Sequence, residues 1–142
     1  MISQALSHDL LLPDPVVPCV PQRTELRALP DQDHAIVTMP EAGLGSILEV
    51  ISSARRRIRI KMFKLTCEPI LNGLIEARRR GVDVKVLLNP KRSDGSRAND
   101  EAFDTLQAGE VAVEWTHPTF YVTHEKSMVV DDLAFICTFN FS

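Results

Sequence analysis

Apolar and charged residues alternate along the segment RIRIKMF, which begins at Arg57. The apolar positions Ile58, Ile60 and Met62 lie two residues apart, which is the period of a β-strand with one buried face. The segment VDVKVLLNP, which begins at Val82, repeats this alternation. We therefore predict a half-buried strand in each of the two segments.

Three other segments carry apolar residues with the period of an amphipathic helix. The first follows Gly45 and has Ser46 as its predicted N-cap. The second, CEPILNGLIEARRRG, is predicted to end at Gly81, because glycine adopts the left-handed backbone of a helix terminus at little cost. The third, NDEAFDTLQAG, is predicted to be capped by Asn99 and to end at Gly109.

Four further apolar segments complete the predicted architecture. They are AIVTM (35–39), VAVEW (111–115), TFYVTHEKSMVVDD (119–132) and LAFICTFNF (133–141). The pair Asp131-Asp132 is typical of a turn between the last two segments. Strands that alternate with helices through short connections indicate an α/β layered sandwich with a mixed or largely parallel sheet, closed by an antiparallel hairpin.

The N-terminal region differs from this pattern. Residues 1–33 contain five of the nine prolines, which remove backbone donors and restrict their neighbours. We interpret 1–33 as an extended lead-in and 34–142 as the folded domain. The apolar patch near residue 10 has no basic segment before it and is broken by prolines, so we expect no signal peptide. We expect a cytoplasmic or membrane-peripheral protein, with export by another route left open.

Composition narrows the function classes only a little. The 142 residues correspond to one domain, with 44% hydrophobic and 25% charged residues. The formal net charge of −3 argues mildly against a nucleic-acid-binding groove, since such grooves are usually basic. Cys19, Cys67 and Cys137 show no CxxC spacing, so no zinc site is indicated.

The strongest chemical signal lies in the last predicted hairpin. His124 and Lys126 are two residues apart, so a strand would present an imidazole and an ammonium on one face. The lysine could neutralise phosphate oxygens, and the histidine could act as nucleophile or proton shuttle. Asp131 could orient the imidazole by accepting its ring N–H. Thr138 and Asn140 share a face of the returning strand and could contact the same phosphate.

These residues resemble a known family. HEKSMVVD resembles the HxKxxxxD signature of the phospholipase D superfamily, CTFNFS resembles its GSxN element, and LNGLIEARRRGVDVKVLLNP resembles its second helix–strand unit. The resemblance implies that His124 attacks a phosphodiester to form a phosphohistidine, while Lys126 and Asn140 hold the phosphate. It implies no metal and no cofactor. Cys137 and Thr138 stand where the family usually has Gly-Ser, which makes phosphate contacts there less secure.

The family mechanism uses two such motifs, from one chain or from a homodimer, and this sequence has one. His8, His34 and His117 lack an accompanying lysine and aspartate, so structural or solvated roles are expected for them. We expect the N-terminal half of a two-motif enzyme, truncated, whose partner is a second half or a second copy. The expected activity is hydrolysis or transphosphatidylation of phospholipids, of bacterial phospholipase D or cardiolipin synthase type. An endonuclease of the same superfamily and an inactive fragment are the alternatives.

Overall fold

A computed structural model describes residues 43–142 of the chain. The predicted lead-in 1–33, the predicted strand 35–39, and His8 and His34 lie outside the described residues. Three helices and five strands occupy the described part. They are α1 (Gly45–Ser53), β1 (Arg57–Met62), α2 (Glu68–Arg79), β2 (Asp83–Leu88), α3 (Asp100–Ala108), β3 (Ala112–Trp115), β4 (Lys126–Val130) and β5 (Leu133–Ile136).

The five strands form one mixed sheet in the order β3-β2-β1-β4-β5. The strands β1, β2 and β3 are parallel, and β4 runs antiparallel to β1 and to β5. The predicted α/β class, the mixed sheet and the closing antiparallel hairpin are therefore confirmed. The order places β1 at the centre and β4 between β1 and β5, so the strand that carries Lys126 pairs on both sides.

The hydrophobic core lies between the helices and one face of the sheet. Ile58, Ile60 and Met62 of β1 are at most 3% exposed, as the alternation predicts. They join the apolar stripes of α1 and α2 in a single buried cluster. The opposite face carries the charged positions of β1 and β2 and is uncovered within residues 43–142, so the sheet is amphipathic across its thickness.

The helix termini correct two predicted caps. Ser46 lies inside the first turn of α1, buried, and Leu44 is the N-cap. Asn99 does precede α3, but its side chain makes no capping hydrogen bond. The prediction for Gly81 is correct, since it follows the last residues of α2 with a φ of 91°. At Asn99, tertiary contacts override the local capping preference, because its side chain bonds the backbone of Leu65, Phe63 and Asn89.

The last two strands are shorter than predicted. β4 begins only at Lys126, so His124 lies in the preceding loop. β5 ends at Ile136, and Thr138 and Asn140 follow it in irregular structure; the prediction that they share a strand face is wrong. Beyond β5, Phe141 forms an isolated bridge with Leu65 instead of continuing the hairpin. The chain turns away there to bury the Phe141 ring, which is 1% exposed.

Candidate active site

One edge of the sheet collects the loops that carry the predicted site. The carboxyl ends of β1, β2 and β3 lie at this edge because the three strands are parallel. Lys126, at the start of the antiparallel β4, pairs with Met62 at the end of β1 and so reaches the same edge. Loops beyond the carboxyl ends of strands are the usual location of ligand sites in α/β sheets.

Lys126 is a buried cation. Its side chain faces the core side of the sheet and the residue is 8% exposed. Its Nζ donates to the carbonyl oxygen of His124 at 2.9 Å and lies 5.2 Å from the centre of the Phe63 ring. None of the ion pairs formed within residues 43–142 involves Lys126. A buried ammonium with no anionic partner is costly, so this position favours an anionic ligand.

The imidazole of His124 lies directly beside this ammonium. Lys126 Nζ is 3.3 Å from each ring nitrogen of His124. The ring also packs against Phe63, with 4.6 Å between ring centroids and 59° between the planes. The residue itself is exposed. The structure therefore brings the two predicted side chains together, with one apolar wall and one side open to a ligand.

Asp131 lies at the other end of β4, and the prediction that it orients the imidazole is wrong. Five residues separate it from Lys126, which is about 16 Å along a strand. Its carboxylate accepts hydrogen bonds from the backbone N–H groups of Arg55, Arg56 and Arg57 at 2.8–3.0 Å. These bonds, led by that from Arg57, lower the pKa of Asp131 to about 2. Asp131 thus joins the α1–β1 loop to the hairpin.

Thr138 and Asn140 lie in the segment that returns to the site edge. The Cys137 N–H donates to the carbonyl oxygen of Lys126 at 2.9 Å, which fixes the start of this segment. Phe141 exchanges backbone hydrogen bonds with Lys64 and Cys67, which fixes its end. Asn140 Oδ1 is buried and has no hydrogen-bond partner within the described part of the chain. Phosphate binding by Thr138 and Asn140 stays a prediction.

Two buried asparagines hold the loops at this edge, and the sequence analysis missed their role. Asn89 and Asn99 are each 2% exposed. Asn89 Oδ1 accepts from the Thr123 N–H at 2.8 Å, beside His124. Asn99 Nδ2 donates to the carbonyl oxygens of Phe63 and Asn89 at 2.8 and 2.9 Å. The available signal for Asn89 was its place directly after an apolar strand, because residues at the carboxyl end of a parallel strand lie at the site edge.

The opposite face of β4 carries a separate polar group. Glu125 pairs with Lys61 at 2.7 Å and accepts from the Ser127 hydroxyl at 2.6 Å. The hydrogen bond from Lys61, followed by that from Ser127, lowers the pKa of Glu125. Because Glu125 lies between His124 and Lys126 in sequence but points away from them, it holds the segment from behind.

The loops around the pair are basic and carry exposed aromatic rings. Lys91 and Arg92 follow β2 and are exposed. Phe120 and Tyr121, in the loop before β4, are 65% and 72% exposed. Tyr121 donates its hydroxyl to the carbonyl oxygen of Ser93 at 3.2 Å, which links the two loops. A cationic, aromatic rim therefore lies at the same edge as the buried lysine.

His117 lies in the same β3–β4 loop as His124. Its Nδ1 accepts from the Thr119 N–H within its own turn at 3.2 Å. That local contact agrees with the solvated role expected for it.

Residues 43–142 contain neither a candidate metal cluster nor a candidate membrane span. Among these residues, no cluster of three or more histidine, cysteine, aspartate or glutamate side chains could hold a metal ion. In the same range, no helix has the length and apolar character needed to cross a bilayer.

Comparisons with known proteins agree with this geometry. A family model described as "Cardiolipin synthase, PLD-like domain" matches residues 47–142. A search of curated proteins found no significant match. Among solved structures, the chain is similar to Nuc, a phospholipase D family member from Salmonella typhimurium, with 28% identity and a TM-score of 0.63. That alignment covers 73% of this chain and 68% of Nuc.

Two more distant structures share the fold. NucT from Helicobacter pylori aligns with 20% identity and a TM-score of 0.54, over 70% of this chain and 67% of that chain. Polyphosphate kinase from Porphyromonas gingivalis aligns with 15% identity and a TM-score of 0.57. The latter alignment covers 73% of this chain but only 20% of the kinase.

Proposed function

The chain belongs to the phospholipase D-like family and is a phosphodiesterase domain of that superfamily; from this premise we propose that it cleaves or transfers the phosphodiester bonds of phospholipids. His124 acts as the nucleophile and Lys126 holds the phosphate. The observation that carries the proposal is the buried ammonium of Lys126, which lies against the His124 imidazole and has no carboxylate partner among the described residues.

A phosphodiester anion fits this pair for an electrostatic reason. Its non-bridging oxygens supply the negative charge that the buried ammonium lacks. The charge on those oxygens grows as a nucleophile attacks, so a fixed cation stabilises the transition state more than the ground state. The exposed imidazole then approaches phosphorus from the solvent side of Lys126.

The reaction proceeds in two displacements. A ring nitrogen of His124 forms a bond to phosphorus, and the bond from phosphorus to the leaving alcohol oxygen breaks. Water or a second alcohol then attacks the phosphohistidine, releases the imidazole and forms the new ester or acid. Asp131 takes no part, because its carboxylate is occupied by three backbone N–H groups at the far end of β4.

The first displacement also needs a proton for the leaving oxygen. We propose that a second motif of the same kind, from a second copy or a second half, supplies this general acid. Within residues 43–142, the other histidine, His117, is held in its own turn by Thr119.

Phospholipid is proposed as the substrate because of the rim of the site. Phe120 and Tyr121 expose large rings beside the cations Lys91 and Arg92. Aromatic rings and basic side chains together favour the headgroup region of an anionic bilayer. The description of the matching family model, a cardiolipin synthase, also supports a lipid substrate and a membrane-peripheral location.

A second candidate is a metal-independent endonuclease. The similarity to Nuc favours it, and so does the same basic rim, since exposed aromatic rings stack on bases as readily as they enter a headgroup layer. The net charge of −3 does not oppose this candidate locally, because Lys91 and Arg92 lie at the same edge as Lys126.

The test offers both substrates to the full chain with EDTA present. Phosphatidylcholine vesicles with added phosphatidylglycerol are assayed for choline release, and supercoiled plasmid is assayed for nicking. We expect choline release from the wild type and none from His124→Ala. Plasmid nicking without choline release would replace the lipid proposal with the nuclease candidate. Failure with both substrates, and with bis(p-nitrophenyl) phosphate, would contradict the proposed function.

A further inference from the structure

We propose that Asn89 is a positioning residue for His124, acting through the backbone of Thr123, and that Asn99 in turn fixes Asn89. The inference rests on the proposed role of His124 as nucleophile. It assigns a task to two buried amides that lie outside the HxKxxxxD signature.

His124 needs such support because the sheet does not hold it. The ladder between β1 and β4 begins at Lys126, two residues after His124. On the other side, the loop reaches back across the site edge toward β3. A nucleophile in a loop loses rate when its position varies, since attack on phosphorus requires a narrow range of geometry.

Asn89 supplies the missing contact on the amino-terminal side of His124. Its Oδ1 accepts from the Thr123 N–H at 2.8 Å, a contact between residues 34 positions apart. Its Nδ2 donates to the carbonyl oxygen of Lys91 at 2.6 Å, and its own N–H donates to that of Met62 at 3.3 Å. The side chain uses its acceptor for the His124 segment and its donor for its own loop.

Asn99 extends the network to the ring that His124 packs on. Its Nδ2 donates to the carbonyl oxygens of Asn89 and Phe63, and its Oδ1 accepts from the Leu65 N–H at 2.9 Å. The Phe63 ring lies 4.6 Å from the imidazole centroid. The same network thus fixes the backbone before His124 and the residue whose ring forms one wall of its pocket.

The Phe63 ring and the first β1–β4 ladder pair, at Lys126, are the other two contacts that hold the His124 segment. Between the hydrogen bond at Thr123 and the first ladder pair at Lys126 lie only two residues. With both ends held, the imidazole can rotate about its side-chain bonds but cannot travel with the loop. Removing the Asn89 acceptor frees the amino-terminal end while the Lys126 end stays paired.

A merely structural role would give a different result from a positioning role. Loss of buried hydrogen bonds lowers the melting temperature in either case. Only a positioning role lowers kcat in the fraction that stays folded, with little change in KM, because substrate binding at Lys126 remains intact. Only a positioning role also changes the position and the surroundings of the His124 ring itself.

The experiment compares two variants of Asn89 with a matched control. Asn89→Leu is close in shape and removes both hydrogen bonds, whereas Asn89→Asp keeps an acceptor for the Thr123 N–H and loses only the donor. Asn72→Leu and Asn72→Asp repeat the changes at an exposed position of α2. Activity is measured on bis(p-nitrophenyl) phosphate well below each melting temperature, and the His124 ring nitrogens are followed by NMR.

We expect Asn89→Leu to lower kcat by about 10²-fold, the loss that a misplacement of about 1 Å produces. We expect Asn89→Asp to restore kcat to within about tenfold of the wild type. The acidic limb of the pH–rate profile of Asn89→Asp should move to higher pH, because an added carboxylate favours the imidazolium. The Asn72 variants should behave as wild type. A kcat for Asn89→Leu within about threefold of wild type would overturn the proposal.

Two further outcomes are decisive. If Asn89→Leu does not fold, a wild-type pH profile and unchanged His124 resonances in Asn89→Asp would overturn the positioning role. If the wild type shows no turnover, the proposed function fails, and the positioning role is then judged by NMR alone. In that case, His124 ring signals that respond equally to orthovanadate in the wild type and in the Asn89 variants would overturn it.

Discussion

The two ends of strand β4 carry opposite charges that are treated in opposite ways. At the start, the Lys126 ammonium is buried and no carboxylate of the described chain pairs with it. At the far end, the Asp131 carboxylate accepts three backbone N–H groups and is fully satisfied. A charge that lacks a counterion is available to an anionic ligand, whereas a charge whose hydrogen bonds are all made stabilises the fold.

This difference explains the spacing of the motif. Lysine and aspartate in HEKSMVVD are separated by one strand, about 16 Å, so they cannot act on one substrate atom. The strand reaches from the site edge to the turn that joins it to β5. The motif therefore records two requirements, a phosphate-binding end and a clamp that holds the hairpin to the α1–β1 loop.

The largest expected effect comes from removing the buried Lys126 ammonium. Lys126→Met keeps the shape of the side chain and should lower turnover by at least about 10²-fold, as loss of one oxyanion donor does. Its melting temperature should rise, because an uncompensated buried cation is lost. Activity assays and thermal unfolding measure the two effects, with the exposed Lys85→Met as control. A lower melting temperature for Lys126→Met than for the wild type would contradict the proposed difference between the two ends of β4.

Inorganic phosphate sharpens the same comparison. It should raise the melting temperature of the wild type by binding the folded state, and it should not raise that of Lys126→Met. An equal shift in both proteins would place the anion elsewhere.

Removing the Asp131 carboxylate, whose hydrogen bonds are satisfied, should lower stability and leave turnover nearly unchanged, which is the reverse of the result expected for Lys126→Met. Asp131→Asn replaces one acceptor oxygen by an NH₂ group that faces backbone donors, so the melting temperature should fall by several degrees. Turnover of the folded fraction should stay within about threefold of wild type, since the change lies about 16 Å from the site. Thermal unfolding and assays at low temperature measure the two quantities. A large loss of kcat with an unchanged melting temperature would show that Asp131 does act in catalysis.

The pH dependence of stability tests the same clamp. The hydrogen bonds hold the pKa of Asp131 at about 2 in the fold, below its ordinary value of 3.8. Because the folded pKa is the lower one, this contribution is present above pH 3.8 and is lost as the pH falls toward about 2. Urea unfolding of wild type and Asp131→Asn across this range should give curves that converge at the acid end. A constant difference would show that the carboxylate charge is not responsible.

The smallest effect is expected at the neighbouring aspartate. Asp132 forms an exposed ion pair with Arg56, in which the two side chains are 78% and 63% exposed. Exposed pairs contribute little, so Asp132→Asn should leave both the melting temperature and turnover unchanged. Since the substitution matches Asp131→Asn one residue away, it is the control for that variant. A destabilisation equal to that of Asp131→Asn would mean that the turn, rather than the three N–H bonds, matters.

Much of the fold could be predicted because its signals are local. The alternation from Arg57 to Met62 and the stripe of α2 report directly which side chains are buried. The predicted Asn99 cap failed because contacts distant in sequence decided the outcome. Asn99 has the composition of an N-cap, yet its side chain bonds Leu65, Phe63 and Asn89 because those backbone groups are buried and need partners.

The sequence by itself determined the family, the α/β class and the adjacency of His124 and Lys126, since a separation of two residues suffices to place both on one side of an extended chain. Tertiary structure alone decided what each polar group meets. It took Asp131 to three N–H groups at residues 55–57, left Lys126 without a counterion among residues 43–142, and put Asn89 behind Thr123. Hydrogen-bond partners that lie 34 to 76 residues apart depend on how strands are ordered in the sheet, which no local pattern specifies.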